Sequence, residues 1–139
     1  MLVEKHFAFV RRFLTLRSVF MHVAEGDASL ALRAAGYVER VYTSASLDLG
    51  PRAPGNVRCA APAAGSVDVA FGGRAADEVY ESLAPGGLYI CAGPARTMRA
   101  ELIAAGFSKI RYYAGPFRVS YPTAALLQRF FEIRIAAVK

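Results

Sequence analysis

The stretch His22-Val23-Ala24-Glu25-Gly26-Asp27-Ala28-Ser29 sets two carboxylates on either side of one glycine, between an apolar run and a helical one. A glycine at such a junction lets backbone pass close to a ligand. Two readings of Glu25 and Asp27 are open. They hold a cation or polar ligand, or Asp27 simply caps the helix that follows. His22 is likewise read either as a general base beside a cleft or as a strand-end residue bonded locally. His6, between Lys5 and Phe7, reads as a surface or edge side chain. Two histidines without a matching cysteine or aspartate pattern define no zinc site. Cys59 and Cys91 lack a Cys-x-x-Cys partner and sit in apolar runs, so both read as buried small hydrophobes. These residues by themselves assign no catalytic group and no metal.

The elements that must position them alternate along the chain. Residues 4–15 put Phe7, Val10, Phe13 and Leu14 on one side at helical spacing. Strand candidates follow at 18–24, 38–43, 56–60, 66–71, 88–92, 108–113 and 132–138. Helical runs fall between them at 28–35, 75–84 and 97–105, and a short one, AALLQRF, begins at Ala124. Gly36 and Gly106 stop two of these helices, and Pro85-Gly86-Gly87 reads as a tight turn. Residues 44–54 are rich in Ser, Gly and Pro. The crossover around Ser44–Gly65 is therefore expected to shrink to a loop or a single turn. Near-continuous apolar strands alternating with Ala-rich helices predict an α/β fold. It is a Rossmann-like, doubly wound, mostly parallel sheet with helices on both faces and a C-terminal antiparallel strand. The expected organisation is one domain over 1–139, with an N-terminal helix at 1–16 and the sheet core at 18–139. In such a sheet a ligand sits at the carboxyl ends of the strands, beside the first strand-turn-helix unit.

Composition narrows the class. The 139 residues are 55% hydrophobic and 20% charged, too apolar for a disordered chain. No apolar stretch approaches the roughly 20 residues of a membrane span. With two cysteines the chain is no disulfide scaffold, and a cytoplasmic location is the expectation. Lys+Arg 17 against Asp+Glu 11 gives +6, but the arginines are spread from Arg11 to Arg134 and only Arg11-Arg12 are adjacent. Nucleic acid is therefore not expected as a partner. Tyr112, Tyr113, Phe117 and Tyr121 form an aromatic group read either as core or as an exposed contact surface.

Several segments together resemble class I S-adenosylmethionine-dependent methyltransferases, of the methyltransferase type 11-like kind. They are VFMHVAEGDASLALRAAG (19–36), SVDVAFGG (66–73), LAPGGLYICAG (83–93), ELIAAGFSKIRYY (101–113) and FEIRIAAVK (131–139). The resemblance implies a seven-stranded sheet ending in an antiparallel hairpin, with the cofactor over the first two strand ends. It assigns cofactor contacts to Ala24, Glu25, Gly26 and Asp27, and ribose contacts to Ser44 and Ser46. It reads Asp68 as structural. The chain departs from the family pattern at three places. His22 stands where a carboxylate is usual, and Ala24 stands at the first glycine of Gly-x-Gly. No carboxylate follows the second strand until Asp48, and none stands near Ala60 or Ala61. A ribose diol on a carboxylate gains two charge-assisted hydrogen bonds, each worth roughly 1.5–3 kcal/mol, which serines replace only with weaker ones. The resemblance is thus to a shortened, degenerate member that binds S-adenosylmethionine weakly or not at all. Its expected role is a homodimer, or a heteromer with a related methyltransferase. The alternative is an active methyltransferase acting on a small molecule. The stretch Ala114–Thr123 is the only candidate lid over an acceptor.

Overall fold

The computed structural model describes residues 2–23, 29–43, 54–72 and 76–139. Thirteen elements follow one another: α1 (Leu2–Arg11), β1 (Val19–Val23), α2 (Ser29–Ala34), β2 (Arg40–Thr43), β3 (Val57–Arg58), β4 (Val67–Gly72), α3 (Ala76–Ser82), β5 (Leu83–Ala92), α4 (Ala95–Ala105), β6 (Ser108–Ala114), β7 (Phe117–Val119), α5 (Tyr121–Leu127) and β8 (Ile133–Val138). They build one sheet in the order β3-β2-β1-β4-β5-β8-β6-β7. The pairs from β3 through β5 are parallel, whereas β8 runs antiparallel to both β5 and β6. This is a Rossmann-like, mostly parallel sheet flanked by helices.

Alternation along the strands sorts the core into two layers. Phe20, Val41, Val69, Ile90 and Ala136 face α1 and α2, where Phe7, Val10, Leu30 and Ala34 close over them. Met21, Ala70, Tyr89, Cys91 and Ile135 face the other way, against Val79, Met98, Leu102 and Ala124 of α3, α4 and α5. The capping signals work as the sequence predicts. Gly106 adopts φ 106°, and its N–H and that of Phe107 return to Ile103 and Leu102, ending α4 in a left-handed cap. The Pro85-Gly86-Gly87 turn lies inside β5 as a bulge. Val67 pairs with Leu83 and Val69 with Leu88, so four residues loop out opposite Asp68.

Four expectations are corrected. Among the described residues the sheet has eight strands rather than seven, because Phe117–Val119 forms a short hairpin strand on β6 within the stretch read as a lid. Ser120 then caps α5 by accepting from the Thr123 N–H, so little of that stretch is left to fold over a ligand. Tyr112 and Tyr113 are both buried and point to opposite layers, so the four aromatics do not form one contact surface. Cys59 is exposed, not buried. Cys91 is buried as expected, and desolvation pushes its thiol up to about 12.

The shortened crossover is seen between β3 and β4, where residues 59–66 contain no helix. The described side chains exposed on β2 and β3 are polar. Arg40 and Arg58 are exposed, and the Arg40 guanidinium donates to the Tyr42 hydroxyl at 3.3 Å. Among the described residues, charged side chains stand on this edge of the sheet.

Candidate functional site

The parallel strands bring their carboxyl ends to one edge of the sheet, the place where ligands bind in open α/β folds. His22 pairs with Thr43 across β1 and β2, and Val23 pairs with Gly72 across β1 and β4. The predicted contacts Ala24, Glu25, Gly26 and Asp27 follow directly on Val23, and Ser44 and Ser46 follow on Thr43. All six lie outside the described residues. What the structure fixes is the frame: the residues just before them, Val23 and Thr43, end neighbouring strands.

Gly72 shapes this frame. A Cβ built there would stand 2.5 Å from the Val23 carbonyl oxygen and 2.9 Å from the Val23 Cβ. Only glycine lets β1 and β4 approach so closely at the mouth of the cleft.

Described side chains give little to a ribose or an amino acid moiety. Thr43 ends β2 with only 1% of its surface exposed, so its hydroxyl is enclosed rather than offered to the cleft. His22 alternates with Phe20 and therefore faces the α1 layer, where its ring stacks at 13° on Phe71, 6.3 Å away. It is a buried residue of that layer, 3% exposed. Asp68 is structural, as the resemblance implies: its Oδ2 accepts the Val19 N–H at 2.8 Å and ties β4 to the start of β1.

At the far end of the same edge, beyond β5, a cavity of about 430 Å³ is bordered by Gly93, Pro94, Gln128, Arg129, Phe131 and Glu132. The Gln128 side chain accepts the Ala95 N–H at 3.0 Å and so fixes α5 to the start of α4.

His6 is the residue sequence reading missed. Its ring lies 5.3 Å from Phe71, its Nε2 is 3.3 Å from Glu132 Oε1, and its Nδ1 accepts from Arg134 Nε at 3.5 Å. These partners are far away in sequence, so no local pattern announces them. The contacts suit a neutral ring with its proton on Nε2. Burial pulls its pKa below the ordinary 6.5; Glu132 opposes this and Arg134 reinforces it. In the unfolded chain the ring takes a proton more readily, so below its ordinary pKa the unfolded state binds more protons. Stability is full above that value and is lost as pH falls through the folded one. Thermal melts from pH 7 down to about pH 5 should show this loss, and His6→Gln should flatten it. An unchanged slope in the variant would remove the assignment.

Among the described residues, no cluster of His, Cys, Asp and Glu could hold a metal, and no helix is long and apolar enough to cross a membrane.

The fold defined by this sheet order and site frame is that of class I S-adenosylmethionine-dependent methyltransferases. No family sequence model matches the chain, and no curated protein matches it by sequence. Solved structures do match. The Haemonchus contortus phosphoethanolamine N-methyltransferase 2, with S-adenosylhomocysteine, superposes with TM-score 0.69 at 13% identity over 98% of this chain and 52% of its own. The chain thus spans about half the length of that enzyme. The [4+2]-cyclase SpnF gives 0.71 at 13% over 98% and 80%. The Burkholderia thailandensis 1,6-didemethyltoxoflavin-N1-methyltransferase gives 0.69 at 16% over 99% and 77%. At these identities the likeness is one of fold, spread over several proteins and pointing to no one subfamily.

Proposed function

We propose that this chain is a methyltransferase-like protein with catalysis impaired or lost, acting as a binding or assembly partner. The observation that carries the reading is the end of β2. Thr43 is enclosed there, and the sequence offers no carboxylate before Asp48 to hold the cofactor's ribose. Fold likeness does not argue against this, since structures of this shape include a [4+2]-cyclase as well as methyltransferases. Exposed apolar side chains on α5 and just after it support a partner. Leu126, Phe130 (78% exposed) and Phe131 (57%) lie within six residues. The partner is a second copy of the chain or a related methyltransferase. Nucleic acid and membrane are not part of this reading.

Calorimetric titration with S-adenosylmethionine and S-adenosylhomocysteine tests it. The expected dissociation constants lie above about 100 μM for both. A low-micromolar constant for either one would replace this reading with an active methyltransferase on a small molecule. In the same samples, sedimentation equilibrium should show a species heavier than the 15.0 kDa chain. A clean monomer would remove self-association.

A further inference from the structure

On the α1 side of the sheet, the register sets Arg134 of β8, Tyr113 of β6 and Arg118 of β7 side by side across three strands. Arg111 lies two residues from Tyr113 on the same face, and the turn after α1 puts the Arg12 guanidinium carbon 5.9 Å from the Tyr113 ring centre. Arginines scattered in sequence are thus gathered around one tyrosine. Beside them lies a cavity of about 420 Å³, walled by Phe9, Pro116 and Phe131, with Arg12 and Arg134 on its lining and Glu132, the carboxylate that engages His6, between Phe131 and Arg134 in the chain and also on its wall. That is within the size range of small-molecule pockets, roughly 300–1,000 Å³.

Arg134 makes this cavity more than a surface hollow. It is only 8% exposed, and arginines are almost never so buried unless paired with a carboxylate. Among the described residues it makes no ion pair. Its Nε is used on His6, and its guanidinium carbon lies 5.3 Å from the Phe9 ring centre. Glu132, the nearest acid in sequence, engages His6 instead. Arg134 borders the cavity, and a guanidinium fork matches the oxygens of a carboxylate or phosphate. The Arg12 guanidinium carbon, 5.4 Å from the same Phe9 ring, supplies a second positive charge.

We infer that this cavity is a binding site for a small organic anion, its carboxylate or phosphate head on Arg134 and Arg12 and its apolar body between Phe9 and Phe131. The site lies beside β6 and β8, with β4, β5 and β8 between β6 and β1. At about 4.8 Å per strand, Arg134 on β8 stands roughly 14 Å from β1. The inference therefore holds whether or not the strand-end cleft binds a methyl donor.

The test uses the intact chain with phenyl phosphate, phenylacetate and phenol, followed by NMR or calorimetry. At least one of the two anions should bind with a sub-millimolar constant, and phenol at least about tenfold more weakly. Arg134→Gln should weaken the anion at least about tenfold, and the exposed substitution Arg12→Gln about fivefold. Binding should also fall with added salt. Phenol binding as well as the anions, or indifference to Arg12→Gln in a folded variant, overturns the site. So does tight binding of an oligouridylate of about 15 nucleotides that depends on Arg111 and Arg118 but not on Arg134, which would make the patch a nucleic-acid surface.

Discussion

Phe20→Ala is expected to lower the free energy of unfolding by about 3–5 kcal/mol. The Phe20 ring has no exposed surface and sits on β1 between Val41 of β2 and Val69 of β4, under the apolar side chains of α1 and α2. Removing it deletes the layer's central contact, and the surrounding strands are held by their ladders and cannot collapse into the space. A domain of this size has about 5–15 kcal/mol in all, so the variant should be substantially unfolded under mild conditions. Urea denaturation monitored by circular dichroism measures the loss. Phe20→Leu keeps much of the volume and should cost distinctly less. Equal effects would mean that this layer is not packed around Phe20.

Gly72→Ala is expected to destabilise by about 2–3 kcal/mol, although it adds only one methyl group. The new Cβ would meet backbone and Cβ atoms of Val23, which have no rotamer by which to retreat. The β1 and β4 ends must separate, widening the mouth of the cleft as well as loosening the sheet. Gly55→Ala is the control, because nothing lies within 4 Å of a Cβ there and its backbone is unstrained. Comparison of the two melting temperatures decides the matter. Two equal melting curves would show that β1 and β4 are not held at this spacing.

Much of this fold can be read from the sequence because its signals are local. Apolar runs ended by Gly36 and Gly106 give helix and strand order directly, and the shape of the Val67–Gly72 and Leu88–Ala92 strands needs no distant partner. Phe117–Val119 was hidden because a three-residue strand has too few side chains to show alternation. Cys59 shows the opposite limit: it sits in a run that looks apolar, but β3 pairs over only two residues and leaves it outside. At the site, sequence reading points to the residues after Val23 and Thr43, which lie outside the described residues, and it cannot find His6, Glu132 and Arg134. Those meet only because β8 lies beside β5 and under α1, a fact of topology rather than of pattern. The same holds for the arginines, which are unremarkable in the chain and become a cluster through cross-strand register.

The place of β8 also sets an order of assembly. Strand β6 has no ladder to β5; it reaches the sheet only through β8. Residues from Ala95 to Leu127 therefore fold as an excursion whose return waits for the last strand, a contact between segments far apart in the chain and correspondingly slow to form. Until β8 slots in, β5 and β6 each present an unpaired edge, and an edge of that kind accepts a strand from another molecule as readily as its own. Refolding yield should consequently fall as protein concentration rises, with the vulnerable interval ending when Ile133–Val138 closes the gap.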